Sequence, residues 1–205
     1  MGFMAEQHYF SSNPVSEFTP QQVKVRLAGQ DRTVVTAPGI FSPAGIDKGT
    51  AVLLAEVPPV TGSRILDIGC GWGPITLTAA LESPDSQVYA VDVNQRSMEL
   101  TRMNAERLGA TNVQVSLPED VPTDVEFDLI WSNPPIRVGK DALHNIMRTW
   151  LPRLTVGGKA YLVVQKNLGS DSLQKWLVNE LGSDYSVNRY ATSKGFRILL
   201  VERMS

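Results

Sequence analysis

Apolar and polar positions follow two different rhythms along this chain. Val23-Lys24-Val25-Arg26-Leu27 and Arg32-Thr33-Val34-Val35-Thr36 alternate with a period of two on either side of Ala28-Gly29-Gln30-Asp31, which predicts an antiparallel hairpin with a turn. After Pro38-Gly39 and the stretch Ile40-Phe41-Ser42-Pro43, Asp47 is placed to cap a helix running to about Val57, where Pro58-Pro59 stops it. From Arg64 onward, short apolar runs alternate with amphipathic segments of helical length, the rhythm of βα units around a parallel sheet. Strands are expected at Arg64–Ile68, Gln87–Val91, Val113–Val115, Phe127–Trp131 and Lys159–Val164, and helices near 74–83, 95–108, 141–153 and 171–180. At the tail, Tyr185–Ala191 and Phe196–Val201 are joined by Thr192-Ser193-Lys194-Gly195, which predicts a second hairpin in place of another helical crossover. The expectation is an α/β fold with a mainly parallel sheet over residues 59–205 and an extension over residues 1–58, a hairpin plus a helix, packed on it.

A chain of 205 residues suits one domain plus an extension, at roughly 100–200 residues per domain. Its 42% hydrophobic and 20% charged residues lie near the averages for globular proteins, which sets disordered and fibrous classes aside. No apolar run reaches the roughly 18 residues of a membrane span, and the N-terminus lacks the basic and apolar regions of a signal peptide, so a cytoplasmic protein is expected. With one cysteine, Cys70, and two histidines, His8 and His144, no internal disulfide and no Cys/His zinc spacing can be assembled, and no metal is expected. The net charge of −2 gives no global basic footprint, so any contact with nucleic acid has to come from a local patch.

The densest chemical signal is Ile65-Leu66-Asp67-Ile68-Gly69-Cys70-Gly71-Trp72-Gly73-Pro74: an apolar strand, a carboxylate, three alternate glycines, and a proline suited to the first turn of a helix. Glycines let the backbone turn sharply and let a ligand lie against it, and in an open parallel sheet such a turn sits at the carboxyl ends of the strands, where ligands bind. A bare tight turn rarely needs three of them. A dinucleotide fingerprint places its third glycine where this chain has Pro74, so the spacing Gly69, Gly71, Gly73 suits a cofactor without a pyrophosphate better than NAD or FAD. About twenty residues on, the next strand ends in Asp92, where a carboxylate can accept hydrogen bonds from both hydroxyls of a ribose. The same residue also reads as a solvated loop carboxylate or a cap for the following helix.

A third signal, Ser132-Asn133-Pro134-Pro135-Ile136, directly follows the strand Phe127–Trp131. Two prolines fix the backbone and remove donors, so the carbonyls of Asn133 and Pro134 are expected to point into a site with no amide competing for them. An exocyclic amine on an aromatic ring is a poor nucleophile, because its lone pair is delocalised. Two acceptors on its N–H groups favour a pyramidal nitrogen with the lone pair aimed at an electrophile, and no general base is needed before attack. The plainer alternative is a turn opened by Asn-Pro.

Together, the glycine turn, Asp92 and the Asn-Pro-Pro loop resemble the class I S-adenosylmethionine (SAM) dependent methyltransferases over roughly residues 60–205. More narrowly, the chain resembles the ribosomal RNA small-subunit methyltransferase C type, which makes N2-methylguanosine in 16S rRNA. That narrower likeness rests on His8-Tyr9-Phe10, Gly39-Ile40-Phe41-Ser42, Asp47-Lys48-Gly49-Thr50, Asn133-Pro134-Pro135-Ile136-Arg137 with Gly139-Lys140, and Val164-Gln165-Lys166. The resemblance implies a doubly wound, Rossmann-like sheet of seven strands with the last antiparallel, SAM as cofactor, and ribosomal RNA or the small ribosomal subunit as partner. It also implies roles: Asp67, Gly69 and Gly71 around the methionine part of SAM, Asp92 at the ribose, Val93 at an adenine face, Asn133 and Pro134 on the target amine, and Ile136 against the base. Many relatives carry Tyr or Phe where this chain has Ile136, which leaves stacking, worth roughly 1–3 kcal/mol per base, to another aromatic such as Trp72 or Phe41. Longer relatives also carry a second, amino-terminal domain, for which the residues before Arg64 are too few.

Several residues remain. Arg137, Lys140, Lys166 and Lys194 fall in loops near the expected carboxyl edge and read either as a phosphate-binding rim or as scattered solvated charges. Cys70 reads as a small buried thiol, and His144 as a surface or half-buried histidine on a helix. Two other functional readings stay open: a SAM-dependent enzyme acting on a protein glutamine or an adenine amine, and a SAM- or nicotinamide-binding protein without methyl transfer.

Overall fold

The structure, a computed structural model, describes residues 16–205. His8-Tyr9-Phe10 falls outside the described residues. Two strands, β1 (Gln21–Leu27) and β2 (Gln30–Thr36), form a separate antiparallel ribbon, and helix α1 (Lys48–Glu56) follows. The main body then runs β3 (Arg64–Ile68), α2 (Pro74–Glu82), β4 (Gln87–Val91), α3 (Gln95–Leu108), β5 (Val113–Ser116), β6 (Phe127–Ser132), α4 (Lys140–Trp150), β7 (Leu154–Gln165), α5 (Ser170–Leu181), β8 (Tyr185–Ser193) and β9 (Phe196–Arg203). The seven-stranded sheet has the order β5-β4-β3-β6-β7-β9-β8. Neighbours pair in parallel from β5 through β7, and β9 runs antiparallel to both β7 and β8. This is the doubly wound, Rossmann-like arrangement the resemblance implies.

The period-two pattern of the strands sorts side chains onto two faces. Ile65, Leu129, Trp131, Tyr161, Val163 and Ile198 meet α1, α2, α3 and the β1–β2 ribbon on one face. Leu66, Ile68, Ile130, Leu162, Val164 and Leu199 meet α4 and α5 on the other. Both faces are therefore covered, which is why the central strands read as unbroken apolar runs.

Local chemistry sets the element ends. Asp47 caps α1 by accepting from the Gly49 and Thr50 amides at 2.9 and 3.2 Å, and Asn94 caps α3 through the Ser97 amide, with Gly109 in the left-handed region closing that helix. Both hairpins are tighter than the sequence predicts. Ala28-Gly29 and Lys194-Gly195 each form a two-residue turn with both φ angles positive, so the flanking strands extend to Leu27 and Gln30 and to Ser193 and Phe196. Strand β7 begins five residues before the expected Lys159 (at Leu154), because Leu154 pairs with Phe127 and a bulge absorbs the glycines before pairing resumes at Lys159. Gly158 sits there against the Phe127 carbonyl, with no room for a Cβ. Helix α4 ends at Trp150, short of the expected 153, as Pro152 turns the chain into a short 3-10 turn.

The ribbon is fastened to the main body by the side chain of Asn104, which is fully buried on α3. Its Oδ1 accepts from the Val35 amide at 2.6 Å, and its Nδ2 donates to the Val35 and Trp72 carbonyls at 2.8 and 3.0 Å. One side chain thus joins β2, α3 and the glycine turn after β3. Replacing it with Leu leaves three buried backbone groups unpaired. Asn104→Leu is expected to lower the unfolding free energy by about 3 kcal/mol in urea denaturation; a loss below about 0.5 kcal/mol would mean the ribbon is held by other contacts.

Candidate active site

Three loops leave the carboxyl ends of β3, β4 and β6, the central strands of the sheet, and meet at one edge. The glycine turn after β3 coils back onto β4: the amides of Gly69 and Cys70 both donate to the Val91 carbonyl, at 2.8 and 3.0 Å, and the Gly71 amide donates to Asp92 Oδ2 at 2.9 Å. Gly69, Gly71 and Gly73 have φ of 77°, 58° and 103°, a backbone that side-chain-bearing residues rarely adopt. Asp92 Oδ1 accepts from the Asn94 amide at 2.9 Å, so both oxygens of this carboxylate are oriented by backbone donors. Burial raises the Asp92 pKa, and the amide hydrogen bonds oppose that rise. Ser132, at the end of β6, ties the third loop to the first by donating to the Ile68 carbonyl at 2.8 Å.

Gly69, Gly71 and Asn133 line one cleft of about 340 Å³, open mouth included, together with Phe41, Ser42, Asp47, Thr50 and Trp72. A Cβ placed on Gly69 or Gly71 meets nothing within 4 Å, so these two positions leave a cradle that any side chain would fill. Beneath it Asp67 is fully buried; its Oδ2 accepts from the Thr76 amide and hydroxyl at 3.0 and 2.6 Å, while Oδ1 has no partner among the described residues. Burial drives its pKa up to about 7, against the Thr76 hydrogen bonds and with a smaller push from the Asp92 charge. An unpartnered buried carboxylate oxygen beside a side-chain-free cradle fits a ligand that brings positive charge and N–H donors, as SAM does. Asp92 adjoins the same cradle through Gly71, and Val93 beside it is 44% exposed.

The Asn-Pro-Pro loop departs from expectation at Pro134. The Pro134 carbonyl is not free of a competing amide: Ile136 N–H donates to it at 2.8 Å, closing a three-residue turn around Pro135, which leaves that oxygen one lone pair. Ile136 is half-buried and packs on the core under α4. The side chain of Asn133 is anchored from the far side of the cleft, its Nδ2 donating to both Asp47 oxygens at 3.2 Å and to Thr50 Oγ1 at 3.1 Å. From sequence Asp47 reads as a helix cap and as part of the Asp47-Lys48-Gly49-Thr50 stretch behind the narrower likeness, and nothing local signals its contact with a residue 86 positions away.

The two aromatic candidates separate. Trp72 is 1% exposed, its indole N–H donating to the Gly45 carbonyl at 3.3 Å, so it props the 42–46 segment. Phe41 is 47% exposed and lines the cleft. Cys70 is buried as expected, and burial, then the charges of Asp92 and Asp67, push its thiol pKa up, away from the reactive thiolate. His144 is more buried than expected, at 7% exposure, and stacks flat on Trp176 with ring centroids 3.6 Å apart, on the α4–α5 face away from the cleft. Arg137, Lys140, Lys166 and Lys194 are all exposed. The strand order places their loops side by side along the edge that holds Asn133, and the Lys166 amide donates to the Gly195 carbonyl at 2.9 Å. Among the described residues, no group of three or more His, Cys, Asp or Glu could hold a metal, and no helix is long and apolar enough to cross a membrane.

This arrangement matches known proteins at several levels. The family model of the methyltransferase small domain matches residues 31–200, from within β2 to the last strand. The chain is similar to an uncharacterized protein, YbxB, of Bacillus subtilis (36% identical, covering 97% of this chain and 99% of that protein). It is also similar to a ribosomal RNA small subunit methyltransferase C of Acinetobacter baumannii, 33% identical over 70% of this chain and 45% of that protein, so it spans less than half of that relative's length. Among solved structures, the T. thermophilus 16S rRNA N2 methyltransferase in complex with AdoMet and guanosine shares the fold with a TM-score of 0.76, at 24% identity, over 93% of this chain and 52% of that one. With a family model spanning most of its length and a relative aligned nearly end to end, the chain belongs to the methyltransferase small domain family.

Proposed function

We propose that this SAM-dependent methyltransferase acts on the exocyclic N2 amine of a guanine in ribosomal RNA. The observation that carries the reading is the anchored Asn133 amide, which shares a cleft with the glycine cradle. With Nδ2 committed to Asp47 and Thr50, Oδ1 is the group left to accept a hydrogen bond, and the Pro134 carbonyl, with one lone pair remaining, would be the second acceptor. Two acceptors and no donor suit an amine. The ribosomal choice draws on the A. baumannii relative, named as a small-subunit rRNA enzyme, and guanine on the T. thermophilus structure, described as holding guanosine.

SAM supplies a sulfonium-bound methyl group as the electrophile. The chain's own part is to hold and orient. Asp92, its oxygens aimed by the Gly71 and Asn94 amides, would take the ribose hydroxyls; Gly69 and Gly71 would admit the methionine part; and the unpartnered Oδ1 of Asp67 would serve its ammonium. Val93 offers an apolar face to the adenine. Asn133 and Pro134 would draw the two amine hydrogens aside so that the nitrogen lone pair is free to attack; the N–CH3 bond formed would replace the S–CH3 bond, the neutral thioether would leave, and the surplus amine proton would pass to solvent. Most of the acceleration then comes from orientation. Phe41, exposed at the mouth, takes the stacking role that the aliphatic Ile136 does not supply. Arg137, Lys140, Lys166 and Lys194 form a local basic rim for RNA phosphates on a chain whose net charge is −2.

Asn133→Ala is expected to lower kcat on the order of 100-fold while SAM affinity, read by calorimetry, stays within about twofold; unchanged turnover overturns the amine assignment. Asp92→Ala is expected to weaken SAM by about 100-fold through the lost ribose hydrogen bonds, and an unaltered Kd removes that role. Asp67 gives a pH signature. Its folded pKa is raised to about 7, so the apo protein keeps a proton that the unfolded chain releases above pH 4, and stability is lost as pH rises from about 4 to about 7. A bound cation offsets that loss, so the thermal shift caused by SAM should grow between pH 5.5 and 7.5. In Asp67→Asn the growth should vanish; the same pH dependence in both proteins would place the cation elsewhere.

A further inference from the structure

Asn133 cannot choose its own orientation. The two ends of a side-chain amide are nearly the same size, and turning it over would aim an NH2 group, not an oxygen, at the substrate amine. Something must distinguish the ends. In this structure that is Asp47, whose carboxylate can only accept.

We propose that Asp47 is a positioning residue for methyl transfer: it locks the Asn133 amide with Nδ2 toward α1 and Oδ1 toward the substrate. The inference rests on the reading of Asn133 as the acceptor of the target amine. Asp47 Oδ2 takes the Gly49 amide at 2.9 Å, Oδ1 takes the Thr50 amide at 3.2 Å, and both take Asn133 Nδ2 at 3.2 Å. These four contacts match the roughly four lone-pair positions of a carboxylate. The first two contacts fix the carboxylate on the helix; the last two turn it against the amide. Thr50 Oγ1 accepts from the same Nδ2 at 3.1 Å, and a flipped amide would set its oxygen against both Asp47 oxygens.

Packing at Gly49 supports the same account. A Cβ there would lie 3.0 Å from the Phe196 ring, 3.2 Å from Asp47 Oδ2 and 3.3 Å from Asn133 Nδ2. A helix-favouring residue is thus kept out of the first turn of α1 because the catalytic loop and the last strand close directly on it. The segment before the sheet therefore contributes to the reacting centre, although local sequence chemistry reads Asp47 as a helix cap.

Asp47→Asn separates positioning from folding. Asn caps a helix about as well as Asp, so the thermal midpoint should stay within a few degrees. An Asn side chain has only one oxygen, with two lone pairs, and its own NH2 would confront that of Asn133. Two readouts follow. In 15N NMR of the full-length protein without substrate, the Asn133 side-chain amide, identified by its loss in Asn133→Ala, should exchange with solvent about tenfold faster in Asp47→Asn. In methyl transfer from labelled SAM to deproteinised 16S rRNA, kcat should fall by at least about tenfold with the Kd for SAM and the KM for RNA unchanged. The double variant Asp47→Asn/Asn133→Ala should be no slower than Asn133→Ala alone, since a residue that acts through Asn133 has nothing left to orient.

Unchanged exchange in Asp47→Asn would overturn the lock, whatever the substrate proves to be. Unchanged kcat, or losses that multiply in the double variant, would overturn its kinetic role. Wild-type turnover in Asn133→Ala is a different failure: it overturns the amine reading and Asp47's kinetic part with it, while the exchange rates still decide whether Asp47 holds the amide.

Discussion

The turn between β3 and α2 has to reverse within five residues and still leave its inner surface bare, and the site is built on that constraint. Positive φ at Gly69, Gly71 and Gly73 lets the backbone coil back to the end of β4, where Val91 and Asp92 accept three of its amides. The same hydrogen bonds that shape the turn aim the Asp92 carboxylate. The same missing side chains open the cradle, and the same compactness buries Asp67 and Cys70 beneath it. A side chain at Gly69 or Gly71 would face backbone strain and would fill the open cradle. On the proposed reading, cofactor binding and backbone geometry are therefore one property of this segment.

The proposed acceptor side of the site is built differently, by long-range closure. The Asn-Pro-Pro loop is rigid along its backbone, yet the side chain of Asn133 takes its orientation from α1 across the cleft. Helix α1 packs on the sheet face that also carries α2, α3 and the β1–β2 ribbon, with the Asn104 side chain fastening that ribbon to α3. Stability of the segment before β3 and placement of the acceptor thus depend on shared contacts. The family match beginning inside β2 agrees with a unit that includes this segment.

Much of this was legible in the sequence, for identifiable reasons. Helix α3 falls at residues 95–108 as expected, because Asn94 and Gly109 cap it with local chemistry. Strands β3 and β4 also fall where expected, since central parallel strands are apolar on both faces. The glycine turn and Asp92 were readable because their spacing follows from the βα unit itself. What was not readable came from contacts between distant segments. The bulge that starts β7 early depends on Phe127, the burial of Trp72 on Gly45, and the competing amide at Pro134 on the exact turn taken by Ile136. The contact between Asp47 and Asn133 was not readable either: the sequence offers a helix cap and a family-like stretch at Asp47, and only the fold brings Asn133 against it.

The central claim is that a SAM-bound cradle and an oriented acceptor pair together methylate a guanine amine. It is tested most directly by incubating the protein with labelled SAM and either deproteinised 16S rRNA or assembled small subunits, then digesting the RNA to nucleosides. The account predicts label in N2-methylguanosine from at least one of the two. Label in another nucleoside, or none in either RNA with SAM binding intact, would contradict it and move the acceptor to an adenine amine, a protein glutamine or another RNA.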